Sequence, residues 1–153
     1  MFPKTHIIIG LIVSLLALFI FPAIGFLGAS IIFLSSFLID VDHYLYYVYK
    51  QKDHNLARAY RWFVKNGEAF YKLKPEEQKK YKRTIFLFHG IEFWVILLLL
   101  LMLFNEIFLF ILIGIVIHMI LDFIDIYNKK QPYYIKISQI YTHRKNKTLR
   151  EFI

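Results

Sequence analysis

The chain contains no cysteine. Disulfides and thiolate metal sites are thereby excluded, and any metal must be held by His, Asp or Glu. Charge is missing over long stretches as well: residues 7–39 carry no charged side chain at all. Lys and Arg are also absent from the two short connections near Pro22 and near Asn105. What remains is strongly apolar. The hydrophobic share of 58% and the mean hydropathy of +0.50 stand above the ~45–50% apolar content of soluble domains. Such a composition needs lipid around it, and the length of 153 residues suggests one domain.

As a single helix, residues 7–39 would measure about 50 Å at ~1.5 Å per residue, against a hydrocarbon core of ~30 Å. Pro22 and Gly25 lie in the middle, where a helix breaks. The expectation is a hairpin of two spans, residues 6–21 and 24–40. Lys4 and the small pair Ala29-Ser30 loosely fit a cleaved signal sequence, but the apolar run continues to Asp40 and favours a retained hairpin. A second apolar block, residues 84–127, has Asn105-Glu106 as the only polar pair near its centre and reads as two further spans, 85–104 and 107–127. The expected fold class is therefore an all-α integral membrane protein with about four transmembrane helices.

The nineteen Lys and Arg residues fall in three places: Lys4, the segment Lys50 to Arg83, and the segment Lys129 to Arg150. With four spans these regions share one side of the membrane. The positive-inside rule then makes both termini cytoplasmic, in an inner or cytoplasmic membrane. Residues 1–127 form the expected membrane domain, including a helical loop over 44–84, and residues 128–153 a basic cytoplasmic tail. Within the loop, Leu56, Ala59, Tyr60 and Phe63 make one helical face opposite Arg58, Arg61 and Lys65. That pattern reads as an amphipathic helix in the membrane interface. Pro75 with Glu76 and Glu77 marks another helix start, expected to run through Arg83 into the third span. The net charge of +8 reads as topology control and attraction to anionic lipid headgroups rather than nucleic-acid binding. A protein partner for the basic loop remains open.

Ionisable groups inside a span cost at least ~2.5 kcal/mol at its centre when charged, so they mark function. His6 opens the first span, Asp40, Asp42 and His43 close the second, His89 and Glu92 open the third, and His118, Asp122 and Asp125 close the fourth. Under four-span topology all lie in the cytoplasmic half. His118 and Asp122 are i, i+4 and share a helix face; His89 and Glu92 are i, i+3. Imidazole and carboxylate from several helices suit a divalent cation such as Zn²⁺ or Mn²⁺. The candidate ligands are His6, Asp40, His43, His89, His118 and Asp122. Simpler roles exist for several: an interfacial His6, helix-ending Asp40 and Asp42, a structural His89–Glu92 pair, an ion-paired Asp125. His54, His143 and Glu106 fall outside the cluster.

At Asp40-Val41-Asp42-His43 the sequence resembles the DUF457 family of YdjM-like, LexA-binding, inner-membrane-associated metal-dependent hydrolases. Thr5-His6 matches the family's opening His, Leu38-Ile39-Asp40-Val41-Asp42-His43 its Leu-Pro-Asp-x-Asp-His segment, and His118 to Asp122 its His-x-x-x-Asp helix. Ile39 replaces the family's Pro. The family's His-Arg-Gly-x-Thr-His-Ser stretch is reduced to Phe88-His89-Gly90-Ile91-Glu92-Phe93. The resemblance implies a hydrolase akin to zinc-dependent phospholipase C-like enzymes, with a phosphoester or lipid-like substrate at the cytoplasmic interface. Asp42 or Glu92 would serve as general base, or Glu92 as a replacement ligand. Two other functions stay open. One is a non-catalytic membrane adaptor with a structural metal. The other is a cation or proton transporter, disfavoured because the outer halves offer only Ser14 and Asn105 as polar groups.

Overall fold

The computed structural model describes residues 3–152. Among them the protein is helical, and the elements are α1 (Pro3–Ile20), α2 (Gly25–Leu38), α3 (Val41–Gln51), α4 (Leu56–Tyr71), α5 (Pro75–Gln78), α6 (Ile91–Leu103), α7 (Ile107–Asn128), α8 (Tyr134–Ile137) and α9 (Gln139–Asn146). A 3₁₀ turn over Pro22–Ile24 breaks the first apolar run, and Gly25 follows at φ 63°, a conformation costly for any residue with a Cβ. The hairpin expected at Pro22 and Gly25 is therefore present.

Two stretches are long and apolar enough to cross a membrane: Pro22–Gln51, which runs through α2 and α3, and Ile107–Asn128. The apolar helices Lys4–Ile20 and Ile91–Leu103 are shorter. The 13 residues of α6 measure only about 20 Å. The expected start of that span at residue 85 is too early. Residues 82–86 are not helical, because their backbone groups bond elsewhere: Lys82 N–H to the Arg150 carbonyl at 2.8 Å, Arg83 N–H to Asn146 Oδ1 at 2.9 Å, and Phe86 N–H to Gln139 Oε1 at 3.1 Å. For the same reason α5 stops at Gln78 instead of running on into the third span.

Close approach fixes the bundle. Gly28 lies under the Phe110 ring, Gly114 against Ser35 and the Ile32 carbonyl, and His118 against Ser36, so α2 and α7 run parallel. Gly10 packs on Ser36, which sets α1 antiparallel to α2. A Cβ at Gly10 or Gly114 would collide with a serine hydroxyl; small residues at crossings let backbones approach, as in membrane helix pairs. The serine hydroxyls are satisfied within their own helices, Ser14 by Leu11, Ser35 by Ile31 and Ser36 by Phe33.

The molecule is polar inside and apolar outside. Twelve polar or charged residues are buried against ten hydrophobic ones among the described residues. Phe19 (83% exposed), Phe26 (79%) and Met102 (82%) point outward, as do Leu15, Leu98 and Leu99. The apolar core proper is a small cluster of Ile39, Leu97, Ile115 and Met119, with Phe88, Phe93 and Trp94 against it.

Residues 128–153 do not form a separate tail as far as they are described. Besides the bonds from Lys82, Arg83 and Phe86, Gln131 Nε2 donates to Gln78 Oε1 at 2.9 Å, and Glu151 bridges Lys50 and Lys82. The tail and the 44–84 loop thus form one cap over one end of the bundle.

Candidate metal centre

All six ligand candidates meet beneath this cap, brought from four separate places in the chain. His6 comes from the first turns of α1. Asp40 stands at the α2–α3 junction, with Asp42 and His43 in the first turn of α3. His89 sits in a 3₁₀ turn ahead of α6, and His118 and Asp122 lie one turn apart on the buried side of α7. His6, His89, His118 and Asp122 are almost wholly buried.

The hydrogen bonds determine which nitrogen of each imidazole is free. His118 Nδ1 lies 2.9 Å from the Ser36 carbonyl, which can only accept, so Nδ1 carries the proton and Nε2 a lone pair. His89 Nδ1 donates to Asp42 Oδ2 at 3.0 Å and leaves its Nε2 in the same state. The two Nε2 atoms face each other at 3.2 Å. Asp40 Oδ1 lies 3.4 Å from one and 3.5 Å from the other, and Asp122 Oδ2 lies 3.6 Å and 3.4 Å away. A metal ion among these four groups would satisfy them together; without one, a proton shared between the two rings and the Lys136 ammonium, 2.6 Å from Asp122 Oδ2, balance them.

The spacing fits a small divalent ion. Ligand bonds of about 2.0–2.1 Å in a tetrahedron place neighbouring donors about 3.3–3.4 Å apart; five of the six edges fall between 3.2 and 3.6 Å. The backing also fits, since metal-bound imidazoles usually give their second N–H to a carboxylate or backbone carbonyl. His/Asp groups can thus hold a metal in two neighbouring sets, the buried His6, His118 and Asp122, and the half-buried Asp40 and His43 with the buried His89. His6 stacks on His118 with ring centroids 4.0 Å apart, and its Nε2 lies 3.6 Å from Asp122 Oδ1. The buried His6 Nδ1 has no hydrogen-bond partner.

The two residues expected as general bases are occupied otherwise. Asp42 takes three donors, the Phe88 N–H at 3.1 Å, His89 Nδ1 at 3.0 Å and His43 Nδ1 at 2.9 Å. It orients two imidazoles and has little capacity to accept a further proton. Glu92 is turned away from the cluster. It accepts from Ser138 Oγ at 2.5 Å and from the N–H groups of Gln139 and Ile140, and so caps the start of α9. The i, i+3 spacing misleads here because His89 belongs to a 3₁₀ turn and Gly90 is extended, at φ −111° and ψ 159°. Asp125 pairs with Lys129 at 2.7 Å, as an ion-paired helix end.

Lys136, from α8, reaches into the centre and places Nζ 2.6 Å from Asp122 Oδ2. Nothing in its sequence context marks it, since it is one of seven cations in the basic tail.

On its open side the centre borders a cavity of about 860 Å³ between α3, α4, residues 82–86 and the tail. Asp40, His43 and Asp122 form part of its wall; Trp62, Phe63, Phe70 and Phe86 supply aromatic surface. His143, expected outside the cluster, lines this cavity without joining the donors. The face of α4 that carries Ala59 and Phe63 therefore looks into the protein, while Leu56 is largely exposed. Of the cations on the wall, Lys50 and Lys82 meet Glu151, Lys129 meets Asp125, Lys136 meets Asp122, and the exposed Lys147 meets none among the described residues. Arg83 meets no carboxylate among the described residues. Its Nη1 donates to Gln131 Oε1 at 2.9 Å, its guanidinium lies 4.5 Å from the Phe70 ring centre, and burial pushes its pKa down.

No family model, no curated protein and no solved structure matches the chain.

Proposed function

We propose that the protein is a membrane-embedded, divalent-metal-dependent hydrolase that acts on a phosphoester or lipid-like substrate at the cytoplasmic interface. The observation that carries this reading is the set of four converging donors, His89 Nε2, His118 Nε2, Asp40 and Asp122, beside a cavity. The ordered resemblance at His6, at Asp40 to His43 and at His118 to Asp122 points the same way. So does the exposed apolar belt, which would be costly in water but is at home in lipid.

Four spans, α1, α2–α3, α6 and α7, suit this placement. The uncharged turns at Pro22 and Asn105 would lie outside, and the basic cap would lie in the cytoplasm against anionic headgroups. His89, His118, Asp40 and Asp122 would hold the ion, with His6 at its flank. Imidazole with carboxylate suits Zn²⁺ or Mn²⁺. When bound, the metal would lower the pKa of a water toward ~7 and polarise the scissile group. Asp42 fixes the rings of His89 and His43. His43 lines the cavity, and with Nδ1 committed to Asp42 its Nε2 is the nitrogen free to accept a proton. Lys136 balances the charge of Asp122.

One observation favours a second reading, an adaptor with a structural metal: four protein donors close a tetrahedron, whereas catalytic zinc usually keeps a position open. Transport is less well supported. Ser14 is tied to the Leu11 carbonyl, and Asn105 caps α7 through the Ile107 N–H at 3.0 Å.

The test uses the full chain in detergent with bis(p-nitrophenyl) phosphate. Hydrolysis should fall on chelation, return with Zn²⁺ or Mn²⁺, and vanish in Asp122→Ala. Metal binding without turnover of phosphodiester or phospholipid substrates would favour the adaptor.

A further inference from the structure

The cavity wall contains a cation whose role the metal centre does not explain. Arg83 is held at both ends. Its backbone N–H donates to Asn146 Oδ1, and its carbonyl accepts from Asn146 Nδ2 at 2.7 Å. Its side chain is fixed by Gln131 and by the face of Phe70. All of these partners are uncharged. A half-buried guanidinium normally finds a carboxylate, because desolvation without a counter-charge is unfavourable. Here Lys50, Lys82, Lys129 and Lys136 have their acids; Lys147 has none but is exposed to water, whereas the half-buried Arg83 has none among the described residues. One turn before Phe70 on α4, Asn66 presents a buried Nδ2 with no partner, and it lines the same cavity. A fixed, forked cation and an unused amide donor line the same cavity, and a guanidinium matches a tetrahedral oxyanion in a bidentate manner.

We infer that Arg83 and Asn66 form an anion-binding subsite that takes a phosphate group, with the apolar part of the same molecule lying on Trp62, Phe63 and Phe70. The inference rests on the hydrolase reading only for what happens next to the bound molecule; the subsite itself would bind phosphate with the metal donors removed. The chemistry is that of a phosphate carrying an apolar body. The phosphate could arrive on a lipid headgroup or free in solution.

The experiment follows the fluorescence of the full chain in detergent micelles, with Trp62 on the cavity wall as reporter. The probes are inorganic phosphate, dihexanoyl phosphatidic acid and, as neutral control, dihexanoyl glycerol. Wild type should bind the phosphatidic acid and not the glycerol. Arg83→Gln should weaken binding by about tenfold or more, the loss expected for a charge-assisted hydrogen bond, while Arg83→Lys should recover part of it. Asn66→Asp perturbs no bond that Nδ2 makes, adds a negative charge to the same wall, and should weaken binding as Arg83→Gln does. Metal content should stay at the wild-type level in all three variants. A parallel loss for inorganic phosphate would identify the phosphate alone as sufficient. Binding by the phosphatidic acid only would assign part of the affinity to the aromatic wall. If Arg83→Gln and Asn66→Asp bind as wild type does, or if wild type binds neither phosphate probe, the subsite does not exist. Absence of metal from the wild type would overturn the hydrolase reading and leave the phosphate result standing.

Discussion

His89 Nε2 and His118 Nε2 face each other across 3.2 Å, and each ring has its other nitrogen committed as a donor, to Asp42 and to the Ser36 carbonyl. Rings so placed, with Asp40 and Asp122 alongside, form a group that could hold a metal ion.

The orienting carboxylate should matter almost as much as the donors. Asp42→Asn removes the charge and turns one of the two accepting oxygens into a donor, so the side chain can no longer accept from both His89 and His43. Metal affinity, measured by competition with a chelator, is expected to fall about 10–100-fold, the range seen when such backing groups are lost. Helix content should be unchanged.

Glu92→Gln should behave in the opposite way. The change removes the negative charge that caps α9 through Ser138, Gln139 and Ile140, and about 0.5–2 kcal/mol of tail docking should go with it. Limited proteolysis should cut the region after Asn128 faster, while metal content stays constant. Loss of metal in this variant would return Glu92 to the centre.

This contrast shows where the sequence was legible and where it was not. His118 and Asp122 are one turn apart on a regular helix, so their shared face followed from spacing alone. His6, Asp40 and His43 could be placed because apolar run lengths and the Pro22 break set the level of each helix end. Glu92 could not, because the chain between it and His89 is not a regular helix and its carboxylate is held by Ser138, Gln139 and Ile140 of the tail, some 50 residues away. Lys136 and Arg83 were hidden for the same reason. Charge patterning shows that a segment is basic, but not which of its cations is drawn inward.

Helix packing gives a third prediction. Gly114→Ala sets a methyl group against Ser35 and the Ile32 carbonyl and should destabilise the bundle by about 1–3 kcal/mol, as overpacking does. Gly67→Ala, where a Cβ meets only the Tyr71 ring at 3.8 Å, should be neutral or slightly stabilising in the same thermal unfolding assay.

The acid limb of stability should depend on Asp53. Arg58 grips its carboxylate with two bonds, of 2.6 and 2.7 Å, and Tyr47 donates to it as well, which holds its pKa well below the usual carboxylate range. A carboxyl more acidic in the folded than in the unfolded state contributes stability above its unfolded pKa of about 4, and that contribution is lost as pH falls through the folded value. The margin of wild type over Asp53→Asn in thermal unfolding should therefore be constant from neutral pH down to about 5 and shrink below about 4. A margin that grows on acidification would contradict the assignment.

The most direct measurement is elemental analysis of the detergent-purified full chain beside His118→Ala and Asp122→Ala. A stoichiometric divalent metal in the wild type, lost in both variants while their helix content is retained, is the predicted result. A wild type without metal, or variants that keep it, would contradict the account.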